Sequence, residues 1–303
     1  MPVGIHGTTG IATANWTTGG RPSSPTAGQQ GYNTTLKQME VYLGTDWISM
    51  AGKLTATGGD TITTADGYTI HTFTSSGTFT PNKNGSVEYL VVAGGGGSAR
   101  ETWESGAGGA GGLLTATGFA CSASSALTVN IGAGGVGNQG GGTPYTGTDG
   151  SNSVFSTITA IGGGAGGKYY LSGFDGGSGG GCGGHTTTAG DIGGSATAGQ
   201  GHDGGTTVNT GARDGGSGGG GAGSAGLSSS GIHAGDGGAG LQSSINGTST
   251  YYCAGGAGSP GYPSGSYGDD GTGLVNAANR GHGGTTNEPV NGSSGVVIIR
   301  YLS

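Results

Sequence analysis

The chain has 303 residues, of which 81 are glycine and only 8% are charged, with a net charge of −7. An acidic chain with no cluster of Lys and Arg excludes a nucleic-acid-binding surface, and no apolar run near either end is long enough to span a membrane. Eight prolines without a sustained triplet register exclude collagen.

Residues 1–50 read as a small β module. Met1–Gly10 lacks a basic region followed by an apolar run, so no secretory leader is expected. Arg21–Asn33 is an extended, proline-punctuated lead, and Gln38–Tyr42, Leu43–Asp46 and Trp47–Ser49 have the pattern of a β-hairpin. A lone hairpin is marginal in water, so this module is expected to pack on a partner chain or on copies of itself. The one short helical signal, Thr35–Glu40, is too brief to matter.

Residues 51–93 form a second β segment. Gly67–Thr74 alternates, Ser75–Gly77 turns, and Thr78–Thr80 returns. Val87–Ala93 is nearly continuously apolar and leads into the first glycine block, and residues 291–303 close the chain with a run of the same character, Val296–Leu302. Two such runs flanking a long insertion are expected to share one sheet.

The insertion, residues 94–290, holds most of the glycine: all but 14 of the 81 follow Ala93. Glycine has the most backbone entropy to lose and no side chain with which to build a core. Flexible coil is the ordinary outcome, yet low charge, twelve tyrosines and interleaved apolar segments argue for order. The alternative is a bundle of polyproline II helices. These have three residues per turn and no internal hydrogen bonds. Side by side they bond one another, and glycine lets their backbones approach where a Cβ would collide. The fold class is therefore mainly β, with an inserted bundle of glycine-rich polyproline II helices and almost no α-helix.

Glycine richness also manufactures false motifs. Gly132–Gly137 matches a dinucleotide fingerprint and Gly162–Lys168 approximates a phosphate loop, but no helix follows either. Gly176–Gly180 and Gly215–Gly219 match GxSxG without the strand-turn-helix context. Asp175, Asp191, Asp203, Asp214, Asp236, Asp269 and Asp270 mostly neighbour glycine, as turns prefer, and offer no clear catalytic pair, so no enzyme activity is expected. His185, His202, His233 and His282 lack the usual ligand spacings, so neither metal nor cofactor is expected. Three widely spaced cysteines, Cys121, Cys182 and Cys253, suggest reduced thiols in a protein made in the cytoplasm.

Gly77–Thr80, Val87–Gly97, Gly108–Leu113, Leu127–Gly135, Gly150–Phe155 and Gly295–Tyr301 together resemble the glycine-rich C-terminal domain of bacteriophage tail-fibre proteins, over residues 67–303. Arg21–Ile48 resembles a short module of structural proteins of marine phages, cyanophages among them. The resemblance implies a β-sandwich with inserted polyglycine helices, similar to phage adhesins and to the glycine-rich ectodomain of anaplastic lymphoma-type receptor kinases. The absence of a long shaft or coiled coil fits a short fibre or tip subunit.

On that reading the protein is a non-enzymatic virion adhesin, made in the host cytoplasm and assembled as a homotrimer. Its N-terminal module would attach to other virion proteins through Tyr32, Met39, Val41, Tyr42, Trp47 and Ile48. The loops between glycine runs carry Trp103, Tyr145, Tyr169, Tyr170, Phe174, Tyr251, Tyr252, Tyr262, Tyr267, Asp269 and Asp270. Exposed aromatics beside Ser, Gly, Asn and Asp have the composition of binding loops, here for a host-surface glycan or outer-membrane protein. The alternatives are a purely structural virion component and, more remotely, an ice-binding protein, for which the threonines are too scattered.

Overall fold

The computed structural model describes residues 5–6, 10–11, 14–35, 38–50, 52–99, 103–138, 146–184, 192–208, 213–272, 278–286 and 291–302. They fall into two compact units, Met1–Leu54 and Thr55–Ser303.

In the first unit, β1 (Ile5–His6) pairs with β2 (Gly10–Ile11). A separate four-stranded sheet runs in the order β3 (Asn15–Trp16), β4 (Gln30–Asn33), β5 (Gln38–Tyr42), β6 (Trp47–Ser49). The β5–β6 hairpin closes where the sequence places it: Tyr42 faces Trp47, and the Leu43 N–H donates to the Asp46 carbonyl at 3.0 Å. The Trp47 ring packs against Trp16 and Tyr42, with centroids 4.7 and 5.5 Å away.

The second unit contains β7 (Ala56–Thr57), β8 (Thr61–Ala65), β9 (Tyr68–Phe73), β10 (Gly77–Pro81), β11 (Gly85–Val92), β12 (Leu113–Cys121), β13 (Leu127–Asn130), β14 (Ser153–Phe155) and β15 (Ile158–Ala160). Two short pairs follow, β16 (Thr207–Val208) with β17 (Ser229–Ser230) and β18 (Leu241–Ser243) with β19 (Thr250–Tyr252), and β20 (Val296–Leu302) ends the unit. Two five-stranded antiparallel sheets result, in the orders β12-β11-β20-β9-β8 and β15-β14-β13-β10-β7. The apolar runs at Val87 and Val296 are neighbours at the centre of the first sheet, Val91 opposite Val297.

The expected return of residues 78–80 onto 67–74 does not occur: β9 and β10 belong to different sheets. The Asp60 carboxylate accepts the N–H groups of Thr74 (2.6 Å) and Ser75 (2.9 Å), fixing a corner that sends the chain across the sandwich. That crossing sets Phe79 against His71, centroids 5.2 Å apart, inside an aromatic core with Tyr89, Phe119, Phe155 and Tyr301. The opposite face of the first sheet is buried too. Ile70, Leu90, Val92, Val296 and Ile298 pack on Ile245, Tyr252 and Cys253 from the glycine-rich region. A sheet covered on both faces accounts for strands that read as unbroken apolar runs.

The glycine-rich segments form a lattice of parallel and antiparallel backbones. In segment 105–112 the N–H donors at 106, 109 and 112 bond the carbonyls of 167, 164 and 161. Those at 107 and 110 bond 217 and 220, and those at 108 and 111 bond 284 and 281. Every third residue meets the same neighbour, the signature of a helix with three residues per turn, at donor distances of 2.8–3.1 Å. Carbonyls of the same segment accept from 93–99, 178–181 and 256–259, so it has six neighbours and sits in a hexagonal array. Segment 215–222 is surrounded in the same way.

Close approach makes glycine obligatory there. A Cβ on Gly108 would lie 2.0 Å from the Gly96 carbonyl oxygen, and one on Gly219 would lie 2.0 Å from that of Gly108. On Gly77, at the start of β10, a Cβ would meet only Phe73 at 3.7 Å. Gly108→Ala is therefore expected to destabilise the second unit by about 3 kcal/mol or more. Gly77→Ala should stay within about 0.5 kcal/mol of the parent. Denaturant unfolding of the two variants checks this.

Candidate binding surfaces

Hydrogen-bond register gives the bundle two ends. Residues 93, 112, 131, 161 and 295 adjoin strands and mark the sandwich end. At the far end, the Glu104 N–H donates to the Pro260 carbonyl (2.9 Å), Gly184 to Glu104 (2.9 Å), Gly183 to Leu171 (3.0 Å) and Gly261 to Ile232 (2.9 Å). Five stretches of chain, at 104, 171, 183–184, 232 and 260–261, therefore converge on one distal surface.

Several of the expected loop aromatics lie at that end. Trp103 is half-buried beside the buried Glu104. Tyr262 is 41% exposed and lies under the Arg213 guanidinium, 5.5 Å from ring centroid to Cζ, and Arg213 Nε is 3.7 Å from Glu104 Oε1. Tyr169 and Tyr170 form a pair with their hydroxyls 2.7 Å apart. Tyr170 is 47% exposed, and both it and Glu104 adopt a left-handed backbone with φ of 64°. Side chains other than glycine are uncommon in that region and cluster at functional loops. Tyr267, also exposed, follows Ser266, whose carbonyl takes the Ala234 N–H near the same end.

The remaining candidates lie elsewhere. Phe174, exposed, sits on the flank of the bundle, where its carbonyl accepts the Gly180 N–H. Asp269 and Asp270 are also on a flank, Asp270 Oδ1 accepting the Ala257 N–H at 3.2 Å. Tyr251 and Tyr252 lie in β19 at the sandwich end. Tyr252 must be withdrawn as a contact residue: it is 3% exposed because it fills the apolar cluster under the first sheet. Tyr145 lies outside the described residues, as do His185 and Asp191. Glu104 and Arg213 were not singled out by sequence, although a basic residue amid glycines was a usable signal in a chain with nine Lys and Arg.

The aspartates have a different occupation from turn formation alone. Asp149, Asp175, Asp203 and Asp236 each accept a backbone N–H, from Ala165, Ser195, Ala196 and Asp269, at 2.6–2.8 Å. They replace a missing neighbour's carbonyl at the edge of the lattice. His282 does the same inside it, its Nδ1 accepting the Ala254 N–H at 3.0 Å. No group of three or more His, Cys, Asp or Glu able to hold a metal occurs among the described residues. Cys121, Cys182 and Cys253 are buried and form no disulfide.

In the N-terminal unit, register puts Tyr32, Met39, Val41 and Ile48 on one face of the sheet, with Ile48 46% exposed. Tyr42 and Trp47 share the other face with Glu40, which is 1% exposed and accepts from Arg21 Nε (3.0 Å), Asn33 Nδ2 (3.1 Å) and Trp16 Nε1 (3.2 Å). Those two rings belong to the unit's interior network more than to its surface.

A β-sandwich carrying a hexagonal polyglycine bundle defines the architecture of residues 55–303. The glycine-rich domain family matches residues 73–302, and the chain belongs to that family. No match was found among curated proteins.

Two pH dependences follow. The Arg21 guanidinium, with Asn33 and Trp16, holds the Glu40 carboxyl down to about 2. Its contribution is complete above the ordinary value near 4.5 and is lost as pH falls toward 2. Glu40→Ala should remove that acid dependence and cost the N-terminal unit about 3 kcal/mol at neutral pH. Burial, reinforced by Arg280, pushes His282 down to about 4. The unfolded chain binds a proton there below pH 6.5 and the folded one does not, so stability declines from pH 6.5 to about 4. The slope is at most about 1.4 kcal/mol per pH unit. Thermal unfolding across pH should show this decline and a flatter profile for His282→Asn.

Proposed function

We propose that this protein is a bacteriophage virion protein, a tail fibre or fibre-tip adhesin that binds a receptor on the host cell. The observation that carries this reading is the convergence of Trp103, Tyr170 and Tyr262 on the distal end of a bundle whose other end is joined to a sandwich. Aromatic rings on rigidly held loops give large contact area at low entropic cost, and they also stack on sugar faces. The receptor is a surface glycan or an outer-membrane protein. The N-terminal unit attaches the chain to neighbouring virion proteins, with Tyr32, Met39, Val41 and Ile48 as the contact face. Three copies turn weak single contacts into avidity. No step of this reading requires a catalytic residue or a cofactor.

Particles carrying Trp103→Ala, Tyr170→Ala and Tyr262→Ala together should assemble normally and adsorb to host cells at least about tenfold more slowly. Normal adsorption by fully assembled mutant particles would leave the protein a structural component without a receptor and overturn the proposal.

A further inference from the structure

We propose that a cleft on the outer face of the β12-β11-β20-β9-β8 sheet, remote from the distal loops, binds a neutral sugar unit. The β18–β19 hairpin covers the apolar part of this face, over Leu90 and Ile298, and its turn reaches Arg300, whose Nη1 donates to the Ser244 carbonyl at 3.5 Å. The space left at its margin is about 530 Å³, lined by Glu88, Thr115, Thr117, Ser243, Ile245 and Arg300. Small-molecule sites fall in the same range of about 300–1,000 Å³.

The charges in the cleft are already committed to each other. Glu88 and Arg300 are directly opposite across β11 and β20, and Glu88 Oε2 accepts from Arg300 Nε and Nη2, both at 2.7 Å. The Tyr68 hydroxyl donates to Glu88 Oε1 at 3.2 Å, and the guanidinium lies 4.3 Å above the Tyr68 ring centroid. An anion at the guanidinium or a cation at the carboxylate would meet a charge already paired at 2.7 Å, with its like-charged competitor in place. The ion pair therefore discriminates against charged ligands.

What the cleft offers a ligand is hydroxyl and apolar surface. Thr115 spends its hydrogen on the Tyr89 carbonyl at 2.8 Å, so its oxygen remains an acceptor. Thr117 and Ser243 add groups that both donate and accept. Ile245, buried to 5% exposure, bounds the apolar side of the cleft. A pyranose has one face of C–H groups and a rim of hydroxyls that are each donor and acceptor, which matches this lining.

The inference does not rest on the adhesin reading. Saturation-transfer NMR on the full chain, with the methyl glycosides of glucose, galactose and mannose as probes, tests it. Transfer to at least one glycoside is expected. It should be lost in both Thr117→Trp and Ser243→Phe, which fill the cleft from opposite walls, and retained in Tyr170→Ala/Tyr262→Ala. Thermal unfolding establishes which filling variants are folded, and either one alone decides the matter. No transfer to the parent chain, or undiminished transfer to a folded filling variant, overturns the proposal. Transfer abolished by the tyrosine substitutions instead would place the sugar at the distal loops, overturning the cleft while favouring the adhesin.

Discussion

The second unit depends on lateral hydrogen bonding between backbones that have no side chains to keep them apart. Three residues per turn point successive N–H groups at three neighbours and successive carbonyls at three others, and segment 105–112 uses all six. Each such bond contributes a net of about 1 kcal/mol, while ordering each residue costs about 1–2 kcal/mol, with glycine at the high end. Hydrogen bonding alone leaves the lattice short. The difference is met by dispersion between closely packed backbones and by attachment to an apolar body.

That body is the sandwich. Its strands are the continuations of lattice segments: 93–99 leaves β11, 105–112 enters β12, and 291–295 enters β20. The sandwich thus fixes the starting positions and register of several segments, and the lattice covers the outer face of its first sheet through Ile245, Tyr252 and Cys253. Neither part is complete without the other. At the free end the described residues Glu104, Leu171, Ile232 and Pro260 are tied to neighbouring segments by backbone hydrogen bonds.

Much of this was readable in the sequence. Clustered glycine with low charge gives the lattice, the paired apolar runs at Val87 and Val296 give the central strands, and Leu43–Asp46 gives the N-terminal turn. What was hidden has one cause: glycine carries no side-chain information, so nothing in the residue types says which segment lies beside which. The end of the bundle at which a loop emerges depends on how many crossings precede it. Tyr251-Tyr252 and Tyr169-Tyr170 are alike in composition, yet one pair lies at the sandwich end and the other at the free end. The corner between β9 and β10 was missed because the alternation of residues 67–80 suits a hairpin equally well, and the deciding contact, Asp60 to Thr74 and Ser75, comes from the residue before β8, fourteen and fifteen positions away.

Amide hydrogen exchange of Gly106–Gly112 and Gly216–Gly221 tests the lattice most directly. These amides have no helix or sheet partner, so only lateral backbone bonds can protect them. They should exchange solely through global unfolding, as slowly as the amides of β11 and β20. Exchange at the rate of an unstructured peptide, with β11 and β20 still protected, would contradict the account.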